Sequence, residues 1–201
     1  MSKTKLVAKK ATKTKLKAKR NVTFVSLAID SSGSMDWLTD EVQAYYKQFI
    51  KDWEAQAKEN NLEVYLAVYT FAYNVECLTK NRITGETHIP LHLVGDLDYN
   101  PDGGTALIAA IGEATEQLPA APTDANTAFL VVILSDGLNN QYGKWSATRL
   151  EQLIKNRTEA GNYTLAVQVP DTGRHAALSC GVPTDNVGCW KIDKQGRKQN
   201  T

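Results

Sequence analysis

Four short apolar runs constrain what this chain can become: Val22–Ile29, Leu62–Phe71, Thr127–Leu134 and Tyr163–Val169. Each has the length of a strand, is rich in β-branched and aromatic residues, and reads as a strand covered on both faces. The segments between them have helical spacing. From Asp36 to about Asn60, the apolar residues Trp37, Leu38, Val42, Tyr45, Tyr46, Phe49, Ile50 and Trp53 recur mostly every three or four positions, which predicts one long amphipathic helix. Ala106–Leu118 predicts a helix of small residues stopped by Pro119, and Ser146–Ala160 a helix ended by Gly161. Thr172–Cys180 predicts a short helix and Val187–Ile192 a last strand. Asn74–Leu78 and His88–Val94 flank a polar stretch and predict a hairpin at a sheet edge. Alternating strands and helices imply an α/β fold: a doubly wound, mostly parallel central sheet, one antiparallel edge hairpin, and helices on both faces in three layers.

Charge divides the chain into unlike parts. Its 201 residues have a formal net charge of +1, yet residues 1–20 hold nine of the 23 bases and no acid, leaving a body of net −8. The basic stretch is an internal repeat: Lys3-Thr4-Lys5-Leu6 returns ten positions later as Lys13-Thr14-Lys15-Leu16. Such a segment buries little apolar surface and repels itself, so residues 1–20 are expected to be a disordered arm. The expected domain is 21–192, and 193–201 a short polar tail. Dense lysine suits a solvated tail, an address signal, or a contact with nucleic-acid phosphates or an acidic protein through Lys9, Lys10, Lys13, Lys15, Lys17, Lys19 and Arg20. No aromatic stands among them to stack on bases. An odd count of three cysteines (Cys77, Cys180 and Cys189) does not make a disulfide framework and suits a reducing, cytoplasmic setting. No apolar run approaches the ~18–20 residues of a membrane span, and no secretory apolar core follows the basic start. An acid-free basic start is also the composition of a transit peptide.

Chemistry concentrates where predicted strands end. Asp30-Ser31-Ser32-Gly33-Ser34 puts one carboxylate and two hydroxyls at alternate positions, which face the same way in an extended segment. Thr105 follows the pair Gly103-Gly104, and Asp136 follows the most hydrophobic strand. Ligands of open α/β sheets sit outside the carboxyl ends of the strands, so these turns should gather on one edge. Asp-x-Ser-x-Ser alone would occur by chance in ~5% of chains this long. The plainer alternative makes Ser32 and Ser34 helix caps and Asp136 a turn residue. That explains each piece separately, and not their joint order.

Together, Asp30, Ser32, Ser34, Thr105 and Asp136 resemble the complete metal-ion-dependent adhesion site (MIDAS) of the von Willebrand factor type A (vWA) domain family. The resemblance covers about residues 22–192 and implies a Rossmann-like fold. It implies direct metal contacts from Ser32, Ser34 and Thr105, with Asp30 and Asp136 acting mostly through hydroxyls or water. All-oxygen ligation selects a hard cation, Mg²⁺ or Mn²⁺ first and Ca²⁺ next, and argues against Zn²⁺. The implied function is non-enzymatic binding of a protein whose Asp or Glu completes the metal's coordination, with Trp37, Asp102, Gly103 and Gly104 rimming the face. The likeness is to small intracellular bacterial or phage-encoded members, which often serve as adaptors. Adhesion members of the family close with a long amphipathic helix; Asp193–Thr201 is too short and polar for one, so a site of fixed affinity is expected.

Two rival functions follow from the same residues. One is a nucleic-acid-associated adaptor that uses the arm. The other is a Mg²⁺-dependent phosphohydrolase, disfavoured because Ser32 stands where a second Asp is wanted and no phosphate-binding loop is present. A zinc site from His88, His92, His175 and the cysteines has the wrong spacing. Cys77 and Cys189 read as small hydrophobes in strands, and His88 and His92 as a solvated edge.

Overall fold

The computed structural model describes residues 19–136, 139–140, 144–179, 182–192 and 198–199. In chain order the elements are β1 (Arg20–Asp30), α1 (Thr39–Asn60), β2 (Leu62–Phe71), β3 (Val75–Cys77), β4 (Ile89–Pro90), α2 (Leu107–Glu116), β5 (Ala125–Leu134), α3 (Ala147–Glu159), β6 (Tyr163–Pro170), α4 (Arg174–Ser179), β7 (Val187–Ile192) and β8 (Lys198–Gln199), with short 3-10 turns between some of them. The sheet runs β3-β2-β1-β5-β6-β7-β8, and β4 also pairs with β2. The pairs β1–β2, β1–β5, β5–β6 and β6–β7 are parallel.

Residue alternation divides β1 between two cores. Val25, Leu27 and Ile29 pack on one face with Val42 and Tyr46 of α1, Leu91 and Tyr99. Val22, Phe24 and Ala28 pack on the other with Ala110 and Ile111 of α2, Leu150 and Ile154 of α3, and Ala177 of α4. A strand turns successive side chains to opposite faces, so both sets must be apolar for helices to cover both. The architecture is the three-layer, mostly parallel α/β/α sheet read from the sequence. β1 is central: the chain passes to β2 on one side and later returns to β5 on the other. Loops diverge where the winding reverses, and a crevice opens at the carboxyl ends of β1 and β5.

Several local expectations change. The predicted first helix begins late: Gly33–Leu38 is a 3-10 turn, and α1 starts at Thr39. Met35 and Leu38 therefore enter the core, while Trp37, expected partly as a core anchor, is 44% exposed. The two edge segments do not pair with each other. β3 pairs antiparallel with residues 69–71 of β2, and β4 antiparallel with residues 65–66, so they lie end to end along one side of β2. The tight antiparallel turn is thus β2–β3. Part of the expected polar tail is also strand: β8 pairs antiparallel with β7. Arg20, assigned to the arm, opens β1 and forms ion pairs with Glu63 and Asp124. Lys9, Lys10, Lys13, Lys15 and Lys17 lie outside the described residues, as does Cys180, and Lys19 is exposed.

Candidate metal centre

β1 ends by burying a carboxylate. Asp30 is fully buried, its Oδ1 accepting from the Ser32 backbone N–H at 2.8 Å and its Oδ2 from the Ser135 hydroxyl at 2.5 Å. Its backbone carbonyl accepts from the Tyr99 hydroxyl at 2.5 Å. Burial pushes the Asp30 carboxyl up to about 6; the hydrogen bonds from Ser135 and Ser32 oppose this, and the charge of Asp136 adds to it. Burial and the same carboxylates also raise the Tyr99 phenol. A fully buried carboxylate beside a second one is stabilised by taking up a proton or by positive charge placed next to it.

The hydroxyls lie above it. Ser32 Oγ and Ser34 Oγ are 3.1 Å apart. Adjacent oxygen ligands around a cation with bonds of ~2.1 Å are spaced at about 3 Å, so this pair suits a common ion as well as it suits a mutual hydrogen bond. Two backbone bonds fix the loop to its neighbour: Gly33 N–H donates to Gly103 O at 3.1 Å, and Asp102 N–H to Ser31 O at 2.8 Å. Ser31 N–H and Ala106 N–H donate to Phe71 O and Ala72 O at the end of β2. Gly103 adopts φ +81°, and a β-carbon there would collide with the ring of Tyr73, so only glycine fits. Asp102 is exposed and Gly104 buried.

Thr105 is buried, its N–H donating to Asn140 Oδ1 at 2.7 Å. Asp136 lies two residues beyond the end of β5, and its Oδ1 is buried without a hydrogen-bond partner among the described residues. Native proteins rarely leave a carboxylate oxygen so placed, and a cation would satisfy it. The donor set consists of three hydroxyls and two carboxylates at one sheet edge, one carboxylate oxygen being unsatisfied, and it fits a divalent cation. Among the described residues, no three His, Cys, Asp or Glu side chains gather as a ligand set. Any metal here must rely on the hydroxyls.

Sequence reasoning missed three supporting residues: Ser135, Tyr99 and Asn140. Ser135 stood in plain view beside Asp136, whereas Tyr99 and Asn140 became partners only through folding. His88 also differs from expectation. Its Nε2 lies 3.1 Å from Ser26 Oγ and its Nδ1 3.0 Å from Thr87 Oγ1, and its ring meets Phe24 edge-on. Burial pushes its pKa down to about 4. His92 and His175 are exposed, and Cys77 and Cys189 are free and partly buried.

A doubly wound sheet carrying an oxygen-lined crevice at the end of its central strand defines a class of α/β ligand-binding domain. A sequence profile of the von Willebrand factor type A domain matches residues 25–179, and the chain belongs to that family. Curated proteins give no sequence match. Among solved structures, the pilus adhesin SpaC of Lactobacillus rhamnosus GG is similar at 12% identity and TM-score 0.61, over 85% of this chain and 28% of that one. Proximal thread matrix protein 1 of the mussel byssus is similar at 16% identity and TM-score 0.52, over 84% of this chain and 41% of that one. A second structure of the mussel protein, described as having a zinc-occupied MIDAS motif, matches at 14% identity and TM-score 0.54, over 86% of this chain and 42% of that one. The chain thus spans less than half the length of these proteins. Among the described residues, no helix is long and apolar enough to cross a membrane.

Proposed function

We propose that the chain is a divalent-metal-dependent protein-binding module, non-enzymatic and cytoplasmic. The observation that carries this reading is the orphaned Oδ1 of Asp136 beside the buried Asp30 carboxylate. Ser32, Ser34 and Thr105 would hold the ion with neutral oxygens, while Asp30 and Asp136 balance its charge. Bound there, the ion supplies an electron-poor coordination position to which an Asp or Glu of a partner can bind. Asp30 orients the loop through the Ser32 N–H, and Ser135 holds Asp30 in place. Mg²⁺ and Mn²⁺ are the first choices for a hydroxyl-rich site. Zinc belongs in the test as well, because the mussel protein's MIDAS is described with zinc. That description weakens an exclusion of Zn²⁺ based on ligand type alone.

Support for a non-enzymatic role comes from the serine–histidine contact seen among the described residues, Ser26 with His88. Ser26 is fully buried, and its hydroxyl donates to Ala114 O at 3.1 Å, so it is not presented to a substrate. The cytoplasmic placement rests on the free cysteines. The lysines of residues 1–18 would add a contact for polyanions, lost steeply as salt rises. The deciding experiment is capture of host proteins by wild type, Asp30→Ala and Asp136→Ala, in Mg²⁺ and in EDTA. The reading expects a partner retained only by wild type in Mg²⁺. Equal capture in all arms overturns it.

A further inference from the structure

Beyond β5 and Asp136, the side chains of Asn139 and Asn140 reach back to the start of α2. Asn140 Oδ1 accepts from the Thr105 N–H at 2.7 Å, and the Asn140 N–H donates to Thr105 O at 3.1 Å. The residue before α2 is Ala106, which has no side-chain oxygen to cap it. Asn139 Oδ1 takes that place from across the crevice, accepting from the Ile108 N–H at 3.1 Å. A cap normally comes from the residue at the helix's own start. Here it comes from the loop after β5.

The two bonds to Thr105 form a closed ring between one backbone unit and one asparagine. They fix where the Thr105 backbone sits, and so where its hydroxyl can point. Thr105 is held from the other side as well: Gly33 N–H bonds Gly103 O, and Ala106 N–H bonds Ala72 O at 2.9 Å. Without the Asn140 side chain, the Thr105 N–H would lose its acceptor and the closed ring would open, leaving the backbone bond from Asn140 N–H to Thr105 O. Partners behind a metal ligand commonly change metal affinity by ~10–100-fold when removed.

We propose that Asn140 is the positioning residue that sets Thr105 for the metal, while its neighbour Asn139 acts as a helix cap. The inference rests on the metal-binding reading above and deepens it. The two asparagines should separate experimentally although they are adjacent in sequence. Asn140 acts on ion affinity through Thr105, and Asn139 acts on the stability of α2.

The test is titration of the full chain with Mn²⁺ alone, followed by electron paramagnetic resonance of free Mn²⁺, with thermal unfolding in EDTA run in parallel. Asn140→Ala is expected to weaken Mn²⁺ binding ~10-fold or more. Asn140→Asp keeps an acceptor for the Thr105 N–H and should bind at least as tightly as wild type. The double variant Thr105→Ala/Asn140→Ala should bind no more weakly than Thr105→Ala, because a residue acting through Thr105 has nothing left to position. Asn139→Ala should lower the unfolding temperature in EDTA and leave Mn²⁺ affinity within about twofold of wild type. Additive losses in the double variant, or Asn140→Asp as weak as Asn140→Ala, overturn the positioning role. Wild type that binds Mn²⁺ alongside an equally tight Asn140→Ala overturns it while leaving metal binding intact. Wild type that binds no Mn²⁺ overturns both.

Discussion

Two polar clusters lie within the same sheet framework, one closed and one open. The closed one surrounds His88: both ring nitrogens have hydroxyl neighbours, Ser26 and Thr87, and burial keeps the ring neutral. The open one surrounds Asp30. There a carboxylate is withdrawn from water more fully than the half-buried His88, and its neighbour Asp136 keeps a buried oxygen with no partner among the described residues. Buried polar groups that satisfy one another are structure, whereas a buried carboxylate oxygen with no partner among the described residues is what the proposed metal reading rests on. The distinction depends on completeness rather than on residue type. His88 is the more familiar metal ligand, yet it belongs to the closed cluster.

The comparison is sharpened most by removing the open cluster's charge. Asp136→Ala should reduce Mn²⁺ affinity by at least ~100-fold, while the metal-free protein loses little stability because the change removes a buried carboxylate oxygen that has no partner among the described residues and relieves the repulsion with Asp30. Calorimetric titration and thermal unfolding in EDTA read the two effects. A large stability loss in EDTA with unchanged affinity would make Asp136 structural.

The closed cluster should be visible in acid. The folded pKa of His88 is lowered to about 4 from an ordinary 6.5, so the unfolded chain binds the proton first. Stability contributed by neutral His88 is therefore full above about pH 6.5 and is lost as pH falls toward 4, by ~3 kcal/mol at most. Urea unfolding of wild type and His88→Gln between pH 7 and 4 checks this. The variant should show the shallower decline.

Adding the ion should close the open cluster. Mg²⁺ at 100 times its dissociation constant should stabilise the fold by about 2.7 kcal/mol, reversed by EDTA. An unfolding temperature that ignores Mg²⁺, Mn²⁺ and Zn²⁺ alike would erase the difference between the two clusters. The smallest effect belongs to the rim of the sheet. Arg20→Ala removes exposed ion pairs to Glu63 and Asp124 and should leave the unfolding temperature nearly unchanged, because solvent screens such pairs.

Much of the fold was legible because its signals are local. The bounds of β2 and β7 match their apolar runs, and α3 starts after the predicted Ser146, whose side chain accepts from Arg149 N–H. The misreadings share one cause. Periodicity around Trp37 looked helical throughout, but the 3-10 turn after Gly33 rotates Met35 inward and Trp37 outward. Likewise β3 and β4 resembled partners because they are close in sequence, while β2 offered both a longer unpaired edge.

The order of residues alone determined the alternation of strands and helices, the two-faced burial of β1, and the oxygen types at 30, 32, 34, 105 and 136. These follow from side-chain period and local chemistry, which neighbouring residues encode. Tertiary structure alone decided which of those oxygens are satisfied. Ser135 meets Asp30 across 105 positions, Asn140 meets Thr105 across 35, and Asp136 Oδ1 has no hydrogen-bond partner among the described residues. Desolvation and hydrogen-bond completeness depend on every segment packed around a group, so they have no signature in its own stretch of chain.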